Sequence, residues 1–218
     1  MKKYTVLIVA ILLASFTIFA QEKQPDFQTV KTEKGMMVLN NNKAQPFAFL
    51  VAGNNPEGKQ NQDGSLFVQT DRQGLNVYFI KTADFLDGRP TKSESETLYN
   101  HREWDVAAQE KAWGKKLEVK MGLDMVKIHD LQLGNLPTKI IPTFNWTFPN
   151  PQNANISGYY QTVVMGDLVV MLGTSFDSSV NIEEVKKSFT ETFESFSLLP
   201  PQKAKVTPKK KTSKGKKN

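Results

Sequence analysis

Tyr159-Tyr160-Gln161-Thr162-Val163-Val164-Met165-Gly166-Asp167-Leu168-Val169-Val170-Met171-Leu172-Gly173 reads as two strands about a tight turn. The first arm is rich in aromatic and β-branched residues, Gly166-Asp167 supplies turn chemistry, and the second arm is an apolar run short enough for a buried strand. A helix is expected next. Asn181 stands where a cap is needed, Glu184 follows at the third helical position, and Val180 and Val185 have the spacing of a hydrophobic staple. Ile182, Val185, Phe189, Phe193 and Phe196 recur at steps of three or four, which places them on one helical face. Pro200-Pro201 is expected to stop the helix.

Upstream, Phe27 to Lys31 and Met36 to Leu39 read as short strands around Gly35, and Phe47 to Val51 as a largely buried one. Gly53 to Gly64 has loop composition. Leu66 to Thr70 and Leu75 to Ile80 flank Asp71-Arg72-Gln73-Gly74 as a β-hairpin, and Asp87-Gly88-Arg89-Pro90 reads as a turn. Ser93 to Trp113 has helical composition, with Ser93 and Glu96 as a start signal and Gly114 as the stop. Its apolar residues fall on two sides: Trp104, Ala108 and Ala112 on one, Tyr99, Val106 and Trp113 on the other. Leu117 to Met121 and Met125 to Leu133 are expected to form a second hairpin around Gly122-Leu123-Asp124. Ile140 to Phe148 reads as a strand and Pro149 to Gly158 as a loop. Seven to nine strands with short connections and two substantial helices give an α+β class, an antiparallel sheet with helices packed on it and an amphipathic helix at its C-terminal end.

The first twenty residues have the form of a secretory signal. Lys2 and Lys3 precede an apolar core from Val6 to Ala14, extended by Phe16, Ile18 and Phe19, and Ala20 is the expected last residue before cleavage. Ile18 is larger than the residue favoured three places before a cut, and the alternative is an uncleaved anchor. Residues 21–26 read as a flexible start, 27–199 as one domain and 200–218 as a disordered Lys-rich tail. The chain contains no Cys, so disulfides, thiolate catalysis, Cys-bound metal and lipid attachment at a cleavage-site Cys are excluded.

The formal net charge of +6 is misleading as a guide to the surface. Removing Lys2, Lys3 and the eight tail lysines turns it into −4 for residues 21–199. A globally basic, nucleic-acid-type surface is therefore not expected. The tail residues Lys203, Lys205, Lys209, Lys210, Lys211, Lys214, Lys216 and Lys217 are the candidate contact with anionic surfaces, weighed against a merely solubilising tail. No aromatic residue is interleaved with them for base stacking.

From Trp146 onward the pattern resembles the PsbP-like superfamily, the extrinsic photosystem subunit P and its bacterial relatives. The carriers are Trp146 in a strand, the Gly166-Asp167 turn, Val169 to Leu172, Thr174-Ser175, and Glu194-Ser195-Phe196 at the end of the last helix. The resemblance covers about residues 140–199, and residues 45–135 in element order only. It carries no catalytic residue, and it implies a non-enzymatic exported binding or accessory domain.

The residues themselves offer few alternatives. His101 and Asp105, four apart on a helix, have the spacing of half a zinc site; a solvated polar face is the plainer reading. His129-Asp130 lies in a strand, where neighbours point to opposite faces. Gly173-Thr174-Ser175-Phe176-Asp177 is near a nucleophile elbow but lacks its second Gly. A serine-type hydrolase would need Ser175, His101 or His129, and a distant acid. Gly53 to Gly64 lacks a phosphate-binding Gly-Lys-Thr/Ser, and Asp63-Gly64 and Asp87-Gly88 lack the alternating acids of a calcium loop. Glu183-Glu184 suits the first turn of a helix. Trp104, Trp113 and Trp146 either line an apolar cleft or belong to the core. Asn145-Trp146-Thr147 and Asn155-Ile156-Ser157 fit the glycosylation pattern, which would carry little weight in a bacterium, the source that the style of the signal suggests. The expectation is an exported, non-enzymatic binding or accessory domain of the bacterial cell envelope, periplasmic or secreted. It would have no cofactor, no specific nucleic acid, no transmembrane span once the signal is removed, and an envelope protein or anionic surface as partner.

Overall fold

Residues 27–131 and 138–200 are described by the computed structural model. The expectations for the signal, for residues 21–26 and for the tail lysines lie outside them. Among the described residues the strands are β1 (Phe27–Thr32), β2 (Gly35–Asn40), β3 (Phe47–Ala52), β4 (Glu57–Gln60), β5 (Leu66–Gln69), β6 (Gly74–Lys81), β7 (Lys120–Asp130), β8 (Thr138–Asn150), β9 (Asn153–Met165), β10 (Leu168–Asp177) and β11 (Ser197–Leu198). The helices are α1 (Ala83–Leu86), α2 (Glu94–Trp113) and α3 (Ile182–Glu194). One sheet runs in the order β1-β2-β3-β11-β7-β8-β9-β10-β6-β5-β4. Every pairing is antiparallel except β11 with β7, a departure from the all-antiparallel expectation.

The Tyr159 stretch shows how the layers form. Gly166 turns β9 into β10 with a φ of 66°, and Leu168 pairs with Met165 at the turn. Along β10, Leu168, Val170 and Leu172 face inward to Phe189, Phe193 and Phe196, whereas Val169 and Met171 face outward. Both faces are covered, so the strand reads as a continuous apolar run rather than an alternation. α3 covers the inner face and α2 lies over the outer face, against β8 and β9.

α3 starts as expected but with different bonds. Asn181 Oδ1 accepts the N–H of Glu183 rather than that of Glu184, and Val180 is exposed, so the staple is not made. The helix ends at Glu194, six residues before Pro200, because Ser195 turns its hydroxyl to Leu50 of β3 and Ser197-Leu198 enters the sheet. Phe196 is buried from beyond the helix, in the turn into β11.

Other departures are local. The Gly53 to Gly64 segment holds β4, an edge strand with all four residues exposed. α1 precedes the Asp87-Gly88 turn. β8 and β9 extend into the expected Pro149–Gly158 loop, leaving a tight connection in which Asn150 pairs with Asn153. The second hairpin does not exist. β7 runs straight through Gly122-Leu123-Asp124 and pairs with β8 from Lys120 to His129. Gly122 does not turn the chain; it makes room, since a Cβ there would lie 2.7 Å from Asn145 Oδ1.

Candidate functional site

α2 is well capped. Ser93 accepts the N–H of Glu96 at 3.2 Å, and Gly114 closes the helix in the left-handed region at φ 65°. The face it presses onto the sheet is the surprising part. Leu98, His101 and Arg102 are buried, Asp105 and Gln109 are half-buried, and Trp113 packs on Phe148. These positions recur at steps of three and four, so they form one stripe, but a polar one. Of the apolar positions singled out from sequence, Trp113 lies in it, whereas Tyr99 and Trp104 are 49% and 42% exposed.

Beneath the stripe lies an aromatic layer. Trp146 and Tyr160 stack with ring centroids 5.6 Å apart, and Tyr160 also stacks on Phe148 at 5.7 Å. His101 sits edge-on to Phe85 at 5.2 Å and lies 6.2 Å from Trp146. Its two ring nitrogens have no hydrogen-bond partner, and neither has the Trp146 indole nitrogen. Burial pushes His101 down to about 4 from its ordinary 6.5, so it is neutral at pH 7. Burial also pushes Asp105 up to about 6, opposed by the bond it accepts from Gln109 at 2.6 Å. Burial raises Tyr160 to about 12. At pH 7 the His101 imidazole and the Tyr160 phenol are neutral, whereas Asp105 has mostly lost its proton.

The sequence reading placed His101 and Asp105 on a solvated face or in half a zinc site. The structure puts His101 in the interior instead. No group of three His, Asp or Glu able to hold a metal occurs among the described residues. Ser175 does not meet His101, whose ring nitrogens bond to nothing. His129 lies at the far end of β7, paired with Thr138 and Ser197. Of the three Trp residues, Trp146 is core, Trp113 is partly buried against it and Trp104 is exposed.

On the inner face a second polar chain crosses the sheet. Asn145 donates to Asp124 at 2.5 Å, Gln161 donates to the Thr143 hydroxyl at 2.9 Å, and the Tyr159 hydroxyl donates to Gln161 at 3.3 Å. Burial raises Tyr159 most, with the Asp124 and Glu183 charges adding to it. At the C-terminal end of α2 a surface hollow of about 390 Å³ is lined by Ala107, Glu110, Lys111, Gly114, Lys115 and Lys116. Lys116 pairs with Glu110 there at 2.6 Å.

The most distinctive surface lies where α2 stops. The helix packs mainly on β8 and β9. Met121, Leu123 and Met125 of β7 are 58%, 54% and 61% exposed, and Ile140 of β8 is 63% exposed. The register sets Met121 opposite Trp146, Leu123 opposite Phe144, Met125 opposite Pro142 and Lys127 opposite Ile140. All of these share the outer face, so the four exposed side chains form one apolar strip beside the helix. The sequence carried a signal for it, because Val119, Met121, Leu123 and Met125 alternate with Lys120, Gly122 and Asp124. The Gly-Leu-Asp triplet read as a turn obscured it.

No family model matches the chain, and no curated protein matches it. Among solved structures, the solution structure of cyanobacterial PsbP (CyanoP) from Synechocystis sp. PCC 6803 is similar to it. The TM-score is 0.46 at 10% identity, with 84% of this chain and 99% of that chain covered. A likeness at this level assigns no ligand and no partner to the chain.

Proposed function

We propose that the chain is an exported, non-enzymatic accessory domain of the bacterial cell envelope that works by binding a protein partner. The observation that carries this reading is the outer-face strip of Met121, Leu123, Met125 and Ile140. The strip lies beside a helix that buries its own polar stripe against the same sheet. Contiguous exposed apolar surface on an otherwise well-buried fold marks a contact site, and methionines suit one because they repack easily. The tail lysines supply an auxiliary electrostatic contact with anionic envelope surfaces, which weakens as salt rises.

The absence of native Cys makes the test direct. Ile140→Cys and, as control, Glu57→Cys in the exposed edge strand β4 each receive a thiol-linked photo-crosslinker. The chain is then crosslinked in the producing cell's envelope. The reading expects one discrete protein crosslinked saturably at position 140 and not at 57. Equal labelling at both positions, or none, contradicts it.

A further inference from the structure

We propose that the open edge of β7 takes up an extended segment of the partner protein as an added strand. This rests on the reading of the chain as a protein-binding domain and goes further, since it names the mode and the chemistry of the segment recognised.

β7 has eleven residues, but on the side away from β8 it meets a strand only at His129 and Asp130, which pair with Ser197 and Leu198 of β11. Among the described residues no strand lies along that side from Lys120 to Ile128. The direction of the backbone groups follows from one bond. The N–H of His129 donates to the Phe196 carbonyl, across toward β11. Along a strand these groups alternate, so Met121, Leu123, Met125 and Lys127 point their N–H and C=O to the same side as His129, while the even-numbered residues face β8. β7 pairs with β8 without a bulge from Lys120 to His129, so the alternation is not interrupted.

Two features therefore coincide on the same residues. Met121, Leu123 and Met125 offer strand-spaced donors and acceptors at the edge, and their exposed side chains stand beside it on the outer face. An exposed edge of this kind is ordinarily blunted by a bulge, a proline or a central charge. β7 has no bulge, proline or outward-facing charge from Met121 to Met125; Asp124 points to the other face, Asp130 lies at the end paired with β11, and Lys120 and Lys127 flank the stretch. A lipid surface or a docked helix cannot use the row of backbone groups; an extended polypeptide can, with main-chain bonds supplying affinity and alternate side chains supplying specificity.

The register states what that polypeptide carries. Its residues bonded to Met121, Leu123 and Met125 project onto the outer face and are apolar. The residue bonded to Lys127 projects beside an exposed ammonium on that same face and is acidic. The recognised segment alternates apolar and indifferent residues and ends on an acid, entering the lane that β11 occupies at His129 and Asp130.

The test uses the full chain and a random nine-residue display library, counter-selected on Leu123→Pro. The Leu123 N–H faces the edge, so proline there removes an edge donor and leaves the β8 pairing intact. Circular dichroism and unchanged exchange of the Thr143 and Asn145 amides of β8, which face β7, confirm that the variant is folded with that pairing intact. Selected peptides are expected to alternate apolar residues and carry an acid. They should slow exchange of the Met121, Leu123 and Met125 amides, and bind at least about tenfold more weakly when N-methylated at the facing positions. The proposal is overturned if nothing is enriched over Leu123→Pro, or if the selected peptides leave those amides unprotected. It is also overturned if those amides are protected by a second copy of the chain at rising concentration, or by vesicles of anionic phospholipid. If it is overturned while crosslinking at position 140 succeeds, the binding-domain reading stands without strand addition. If both fail, both fall.

Discussion

Phe49 of β3 and Phe196, just beyond α3, stack with ring centroids 4.5 Å apart and planes within 3° of parallel. Phe196 also meets Phe47 at 5.9 Å and Phe193 at 5.3 Å. The ring fixes the point at which the chain leaves α3 and enters the sheet as β11. Both phenylalanines are fully buried, so truncating either leaves a cavity as well as losing transfer energy. Phe196→Ala is expected to lower stability by about 3–5 kcal/mol. Val180→Ala, on an exposed side chain, is expected to change it by less than about 0.5 kcal/mol. Urea denaturation of the two variants checks this, and similar midpoints would contradict it.

Gly122 and Asn145 make a second prediction. A Cβ at Gly122 would meet Asn145 Oδ1 at 2.7 Å and Nδ2 at 3.0 Å. Asn145 cannot yield easily, since it is buried and bonded to Asp124. Gly122→Ala is expected to cost about 1–3 kcal/mol from overpacking. In the Asn145→Ala background the cost should largely vanish, so a double-mutant cycle reads a coupling of at least about 0.5 kcal/mol. Additive effects would mean that β7 and β8 are not in this register.

The buried pair on α2 predicts an unusual pH dependence. Asp105 is raised from 3.8 to about 6, so the folded state binds the extra proton and stability falls as pH rises through that window. His101 is lowered from 6.5 to about 4, so its neutral form contributes stability that is complete above 6.5 and lost as pH falls toward 4. Between about pH 4 and 6 the two slopes oppose each other. Asp105→Asn keeps the acceptor for Gln109 and removes one slope. The variant is expected to be more stable than the parent at pH 7 by about 2 kcal/mol, and to lose that advantage as pH falls to 4. Thermal unfolding of both proteins across pH 4 to 7 checks it; a constant difference would contradict it.

Much of this architecture was legible in the sequence for identifiable reasons. Val169 to Leu172 sits between two covered faces, and Ile182, Val185, Phe189 and Phe193 keep a helical period, so hydrophobicity alone places β10 and α3. Patterns fail where packing is carried by something else. β4 is exposed at every residue and has no apolar signature. The inward stripe of α2 contains His101, Arg102, Asp105 and Gln109, which sequence reading assigns to solvent. β7 was misread because Gly122 and Asp124 have turn chemistry, although one relieves a close contact and the other accepts a bond from Asn145. The exposed strip is lost with it, since Met121 and Met125 then fall on different strands.

The expected signal and the proposed role of the tail make a separate prediction about export. Mass spectrometry of the chain recovered from the envelope is expected to show Gln21 as its first residue. Deleting residues 201–218 should reduce retention at low salt and make little difference at high salt. Retention unchanged at all salt concentrations would remove the tail from the mechanism.

The account stands or falls on whether the strip on β7 is the contact surface. The most direct measurement is saturable binding of the purified chain to isolated envelope, compared with Met121→Lys/Met125→Lys. Both methionines are exposed in the free chain, so the melting temperature should not move. The account predicts binding at least about tenfold weaker for the double variant, a loss of roughly 1.4 kcal/mol. Binding of equal affinity with the lysines in place would contradict it.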